Sequence, residues 1–446
     1  MTRIIATLRH LSPMLLAAGL VAEDQPATLQ KQLDELRRSQ EVLATQIAEL
    51  QLEAGDPKPA LVPRLVDLAL VTTVVAGGSS VDDDELSSLQ AGGHDPQGRG
   101  FSVPNVELIF SGALQPWIVA EVRIVTFISS EGETEIELEE AFVRSLSLPA
   151  GLELTAGQFF TPFGRINPTH PHAWTWLDQP VINSRVFGGD GMRGQGVTMA
   201  LALPVAWASR LSATVQNARG ETMASFVGEE GETVGGRPLG DHAVEGIDDL
   251  VTTLGWRAGV DLSPALALRV GADLAFGPNA AGVDTRTTIY GGHVALRWCD
   301  DPHGQLRRGD VQVLAEVIAR DYEVEAYTDD PDGIPSNGDE IDYVSDTLGD
   351  LGVVAQLEVG LADHWSAGLR YEQATGNGES VGGRDADALR DDRWRLSPLI
   401  TWRPLDALRL RLQYNLDHAD HLEDDYAHTV WLGLDVVLGR HTHAEF

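Results

Sequence analysis

The stretch "LDALRLRLQYNLD", Leu405 to Asp417, alternates without a break. Leu408, Leu410, Leu412, Tyr414 and Leu416 share one parity; Arg409, Arg411, Gln413, Asn415 and Asp417 share the other. Successive side chains of an extended chain point to opposite sides, so this is a strand with one apolar and one polar face. The pattern recurs in "ALALRVGADLAF" (265–276), in "HWSAGLRYEQ" (364–373) and in "RWRLSPLITW" (393–402). About sixteen such segments can be marked, near 65–79, 101–113, 117–130, 134–147, 151–163, 193–203, 206–218, 249–262, 265–277, 285–298, 309–320, 346–360, 364–375, 393–403, 406–418 and 427–438.

A soluble β-sandwich alternates too, so the connections have to decide. After even-numbered segments they are mostly tight ("LQP", "LPA", "SPA", "LAD", "PLD"). After odd-numbered ones several are long: 80–100, 164–192, 219–248, 321–345 and 376–392. Short turns at one rim, long loops at the other and an even strand count predict an all-β fold, a transmembrane antiparallel β-barrel. An open sheet is excluded from hydrocarbon because its edges would leave peptide groups unpaired. Trp117, Trp207, Trp365 and Trp402 each flank a tight turn, where an interfacial aromatic girdle belongs. On this reading the leucines face lipid and the arginines a watery lumen.

The rest of the chain fits an exported barrel. Arg3 and Arg9 precede an apolar run, Leu11 to Ala22, followed by Glu23 and Asp24, which reads as a signal peptide over 1–22. Leu29, Leu33, Leu36, Gln40, Leu43, Ile47 and Leu50 are spaced as heptad a and d positions, so 27–53 is expected to form a short periplasmic coiled coil. So short a helix is marginal alone, and its association points to a homotrimer. Pro57, Pro59 and Pro63 end it, making 54–64 a linker and 65–446 the barrel. The chain closes on Phe446, a terminal aromatic of the kind read by the barrel-assembly machinery. With 32 Lys+Arg against 67 Asp+Glu the net charge is -35, which excludes nucleic acid as a partner. The single cysteine, Cys299, excludes an internal disulfide. No GxSxG elbow, HExxH helix or P-loop occurs, so no enzyme is expected; an outer-membrane hydrolase is the remoter alternative.

The segment "LTAGQFFTPFGRINPTHPHAWTWLDQPVINSRVFGGDGMRGQGV", Leu154 to Val197, with "ELEEAFV" (137–143) before it, resembles the phosphate-selective porin superfamily. Within that superfamily it is most similar to zinc-regulated outer-membrane proteins of Gram-negative bacteria. The resemblance implies an outer-membrane, porin-like channel for small hydrophilic solutes or ions, with the loop carrying "HPHAW" folded into the lumen. A closed, structural or tethering barrel is the alternative. One departure is plain: both lysines, Lys31 and Lys58, precede the barrel and acidic residues outnumber arginines, so a basic path for phosphate is not evident.

No cofactor is required, but two clusters could take zinc or another divalent cation: His170, His172 and Asp178 in the inserted loop, and His418, His421 and His428 in the last one. Parity gives the expected pore lining as Glu121, Arg123, Glu135, Glu137, Glu139, Arg269, Asp273, Arg370, Arg393, Arg395, Arg409 and Arg411. An acidic wall facing an arginine wall would impose a transverse field on permeating ions. Acidic loops such as Glu229, Glu230 and Glu232 would concentrate cations at the mouth, and a mild cation preference is expected.

Overall fold

The computed structural model describes residues 66–439 apart from 116, 130–131, 147, 241–245, 300–304, 331–337 and 384–386. The expected signal peptide, coiled coil, linker and terminal Phe446 lie outside the described residues.

Sixteen antiparallel strands form one closed barrel. They are β1 Asp67–Ser79, β2 Gly100–Gln115, β3 Ile118–Ile128, β4 Thr134–Ser145, β5 Leu152–Phe160, β6 Arg193–Ala202, β7 Ala208–Asn217 and β8 Leu250–Ser263. The wall continues with β9 Leu266–Pro278, β10 Arg286–Trp298, β11 Val311–Val324, β12 Asp346–Ala362, β13 Trp365–Asn377, β14 Arg393–Leu405, β15 Leu408–Ala419 and β16 Tyr426–Gly439. Closure is made by β1 against β16, from Ala69↔Gly439 to Ser79↔Thr429. Every backbone ladder is thereby paired and no edge remains. No described helix is long and apolar enough to cross a membrane.

Parity holds as the alternation predicts. In β15, Leu412 is half exposed on the outside while Arg411, Gln413 and Asn415 are buried on the inside. The outer surface is a continuous field of exposed Leu, Val and Ile. Trp117, Trp207, Trp365 and Trp402 all stand exposed on it at the short-turn rim, with Trp365 and Trp402 paired across β13 and β14 and stacked 5.6 Å apart.

Two irregularities re-aim side chains. In β4 the register slips, pairing Arg123 with Glu140 and Ile124 with Leu138, so Glu139 is the extra residue of a bulge. Glu139 and Glu140 are consecutive in the chain yet both buried on the inner side. In β2 the pairing jumps from Thr73↔Asn105 to Val75↔Ser102, and the intervening residues include Pro104, which has no N–H to give a ladder.

An apolar core lies inside the strand wall. Loop residues Phe163, Val186, Phe187, Met223, Phe226 and Leu239 meet inward wall residues such as Ile289, Ile318, Tyr322, Leu348 and Val354 in one buried cluster. A smaller cluster gathers Leu86 and Leu89 of the short helix α1 (Asp83–Leu89), Leu177 and Trp431.

Candidate functional site

The segment between β5 and β6, residues 161–192, lies inside the barrel, as the resemblance implied. It carries a second short helix, α2 (Val181–Phe187), and is held by two charged clamps.

The first clamp is Asp178. Arg370 on β13 donates to Asp178 Oδ1 at 2.5 Å, and Arg395 on β14 to Oδ2 at 3.1 Å. Gln413 and Asn415 on β15 add bonds of 2.8 and 2.7 Å. Burial by itself raises this carboxyl, but the two guanidiniums outweigh it and hold it at about 2. The neighbouring backbone is bound just as closely. Arg409 donates to the carbonyls of His172 and Trp174, Arg411 to that of Trp176, and both pair with Asp435 on β16 at 2.8 and 2.7 Å.

The second clamp has the opposite polarity. His170 meets Glu139 at 2.9 Å through Nδ1 and Glu140 at 3.0 Å through Nε2. His172 meets Glu107 on β2 at 2.7 Å through Nδ1. The two imidazoles stack with centroids 5.9 Å apart. Burial alone lowers the His170 pKa, yet the Glu139 carboxylate, helped by Glu140, raises it to about 10. With both nitrogens given to carboxylates, His170 is itself the cation of this cluster.

These contacts correct several expectations. Asp178 does not join His170 and His172 in a metal set, because Arg370, Arg395, Gln413 and Asn415 occupy its two oxygens. Arg370, Arg395 and Arg411 face inward, but each is only 1% exposed, so they do not line a watery pore; they are covered by the inserted segment. Arg393 likewise donates to the Ser88 carbonyl of α1 at 2.8 Å, and Arg409 is spent on Asp435 and backbone. A transverse field between opposed open walls is therefore replaced by two sealed, internally neutralised contacts. The last-loop histidines do not converge either. His421 faces inward onto Asp391 at 3.1 Å, whereas His418 stacks on Trp394 and His428 meets Tyr414 Oη at 2.6 Å, both on the outer face. His421 lies in the loop that turns inward, while strand parity puts the other two outside.

The remaining expected residues all take the inner parity. Arg123 bonds Glu121 at 2.6 Å, Glu137 receives Arg193 at 2.5 Å, and Asp273 receives Arg257 at 2.6 Å. Arg269 pairs with Asp261, and Glu135 is exposed near the long-loop rim. Among the described residues, the charged inner side chains still open to water include Arg210, Asp261, Arg269 and Arg257, on β7 to β9.

Sequence reasoning missed Glu107, Asp435 and Glu140. Inner parity could have found the first two. Glu140 could not be found so, since the bulge at Glu139 reverses the alternation.

No family model matches the chain. An uncharacterized protein of Aquifex aeolicus (strain VF5) is 27% identical over 409 residues, spanning 86% of this chain and 80% of that one. The outer membrane channel DcaP of Acinetobacter baumannii superposes with a TM-score of 0.50 at 9% identity, covering 84% of this chain and 97% of that one. An anion-selective porin from Comamonas acidovorans gives a TM-score of 0.49 at 9% identity, covering 84% and 99%. The fold is thus the closed antiparallel barrel shared with that channel of Acinetobacter baumannii; at 9% identity the likeness shows fold and nothing finer.

Proposed function

We propose that the protein is an outer-membrane channel of a Gram-negative bacterium, passing small hydrophilic solutes or ions by passive diffusion. The observation that carries this reading is a closed sixteen-stranded wall with residues 161–192 folded inside it and fixed to both sides. Such a segment narrows a barrel without closing its wall. The exposed leucines and valines face hydrocarbon, the tryptophan rim lies at the periplasmic interface, and the long loops point outward.

Charges in contact with water set the selectivity. They are the acidic loops at the mouth and the Arg257, Arg269, Arg210 group with its carboxylates along β7 to β9. Residues 27–53 would gather three barrels through a periplasmic coiled coil, and assembly would run through the C-terminal strand. The likeness of 154–197 to the phosphate-selective porin superfamily agrees with this channel class.

Planar-bilayer recording tests the proposal. The wild-type protein is expected to conduct in small unitary steps, and Asp178→Asn, which loosens one clamp, to conduct in larger ones. The apolar cluster inside the barrel favours a second reading, a closed structural barrel. Absence of current from both proteins would establish that reading instead.

A further inference from the structure

A set of side chains that the two clamps leave unused lies where the first long loop meets the end of the inserted segment. "GGHD" (92–95) packs against "GGDG" (188–191): Gly93 N–H donates to the Gly189 carbonyl at 2.9 Å. A Cβ on Gly93 would stand 2.1 Å from Asp190 Oδ1, so glycine is what admits that carboxylate. Across from it stand His94 and, from the wall, Glu137. One ligand atom from each of His94, Glu137 and Asp190 lies within 4.8 Å of the others.

The protonation pattern points the same way. His94 Nδ1 is 3.1 Å from the carbonyl of Pro104 in the β2 irregularity. A carbonyl only accepts, so Nδ1 carries a proton, and in the neutral ring Nε2 then presents a lone pair. That is how metal-bound imidazoles are commonly oriented, the second ring nitrogen donating to a backbone carbonyl. Phe127 fixes the ring by an edge contact at 5.4 Å. Nε2 has no hydrogen-bond partner although His94 is 3% exposed; Asp190 Oδ1, 3.8 Å away, has none either. With the ring neutral, two buried acceptors face each other across a gap too long for a hydrogen bond, an arrangement that a cation between them relieves. Bonds of about 2.0–2.1 Å from zinc to nitrogen and oxygen would span that gap. Arg193 holds Glu137 Oε2 and is the neighbouring positive charge.

We propose that His94, Glu137 and Asp190 form a binding site for a divalent transition cation of the zinc type, which ties the first long loop and the inserted segment to β4. One imidazole with two carboxylates suits such an ion better than calcium or magnesium, which prefer all-oxygen shells. The site is separate from His170 and His172, and its existence does not depend on whether the barrel conducts.

Zinc chloride titrated calorimetrically into the folded protein in detergent tests this. Wild type should bind one zinc per chain in a site that His94→Ala and Asp190→Asn each weaken by at least about 10–100-fold, the loss seen when even outer-sphere partners are removed. His421→Ala should leave that site intact. Absence of zinc binding by wild type, or binding that survives both substitutions, overturns the proposal. X-ray absorption of zinc-loaded wild type, which needs no variant to fold, should show one imidazole nitrogen among oxygens; a shell with two imidazoles or none also overturns it.

Discussion

The inserted segment is gripped from two sides by contacts that mirror each other. On the β13 to β16 side the wall is cationic and the segment supplies the anion, Asp178. On the β2 and β4 side the wall is anionic and the segment supplies the cation, His170. A segment carrying both signs can be neutralised locally at each contact, so neither wall needs a mobile counter-ion and both contacts can be dry. Buried pairs of this kind add little net stability over apolar packing, but breaking one is expensive because the abandoned partner stays buried. The apolar cluster favours having the segment inside; the clamps determine where it sits.

The sharpest way to break the symmetry is Asp178→Ala. It withdraws the carboxylate that four buried donors of the wall share, leaving Arg370 with Glu372 at 3.0 Å and Arg395 with Asp417 at 2.5 Å, and should cost about 3–5 kcal/mol of docking stability, read by hydrogen exchange over 161–192. A loss under about 1 kcal/mol would mean that the contact is wet. On the outer side of the same wall, Leu410→Arg should cost about 2–4 kcal/mol in reversible unfolding from lipid vesicles. A negligible cost would put the outer face in water.

The opposite clamp should be weaker. Glu140 keeps Arg123 within 3.4 Å when the imidazole is removed, so His170→Gln is expected to cost about 1–3 kcal/mol. The two clamps also differ in their response to pH. Asp178 is lowered from 3.8 to about 2, so its contribution is complete above pH 3.8 and lost as pH falls through about 2. His170 is raised from 6.5 to about 10, so its contribution is complete below pH 6.5 and lost as pH rises through about 10. In acid both clamps lose carboxylates, whereas in alkali exchange should rise around His170 and stay slow around Asp178. Loss of both protections in alkali would refute the comparison. At the bottom of the scale, Arg99→Ala removes a solvent-exposed pair with Asp83 and should leave the melting temperature unchanged.

All sixteen strands were legible from alternation and turn spacing, because in a barrel wall each residue's environment follows from its parity. The inward direction of Arg411 was legible for the same reason. What covers Arg411 was not, since alternation fixes the side on which a residue lies and says nothing of a loop that later fills that side. The "HPHAW" stretch advertised insertion but not partners: His170 and Asp178 are eight positions apart by number and end on different walls. The residues facing His94 come from two distant segments, and the only local hint was a pair of double glycines whose meeting depends on tertiary structure.

The position of Asp178's partners bears on the order of assembly. Its ligands lie 192 to 237 residues further along the chain, on β13, β14 and β15. Closing so long a loop is entropically unfavourable, and contacts of high sequence separation form late in folding. The segment therefore cannot lock until nearly the whole wall has been laid down. A barrel stalled short of β13 would hold a segment fixed only on its His170 side, with Asp178 unneutralised, so full docking reports on the laying down of β13 to β15.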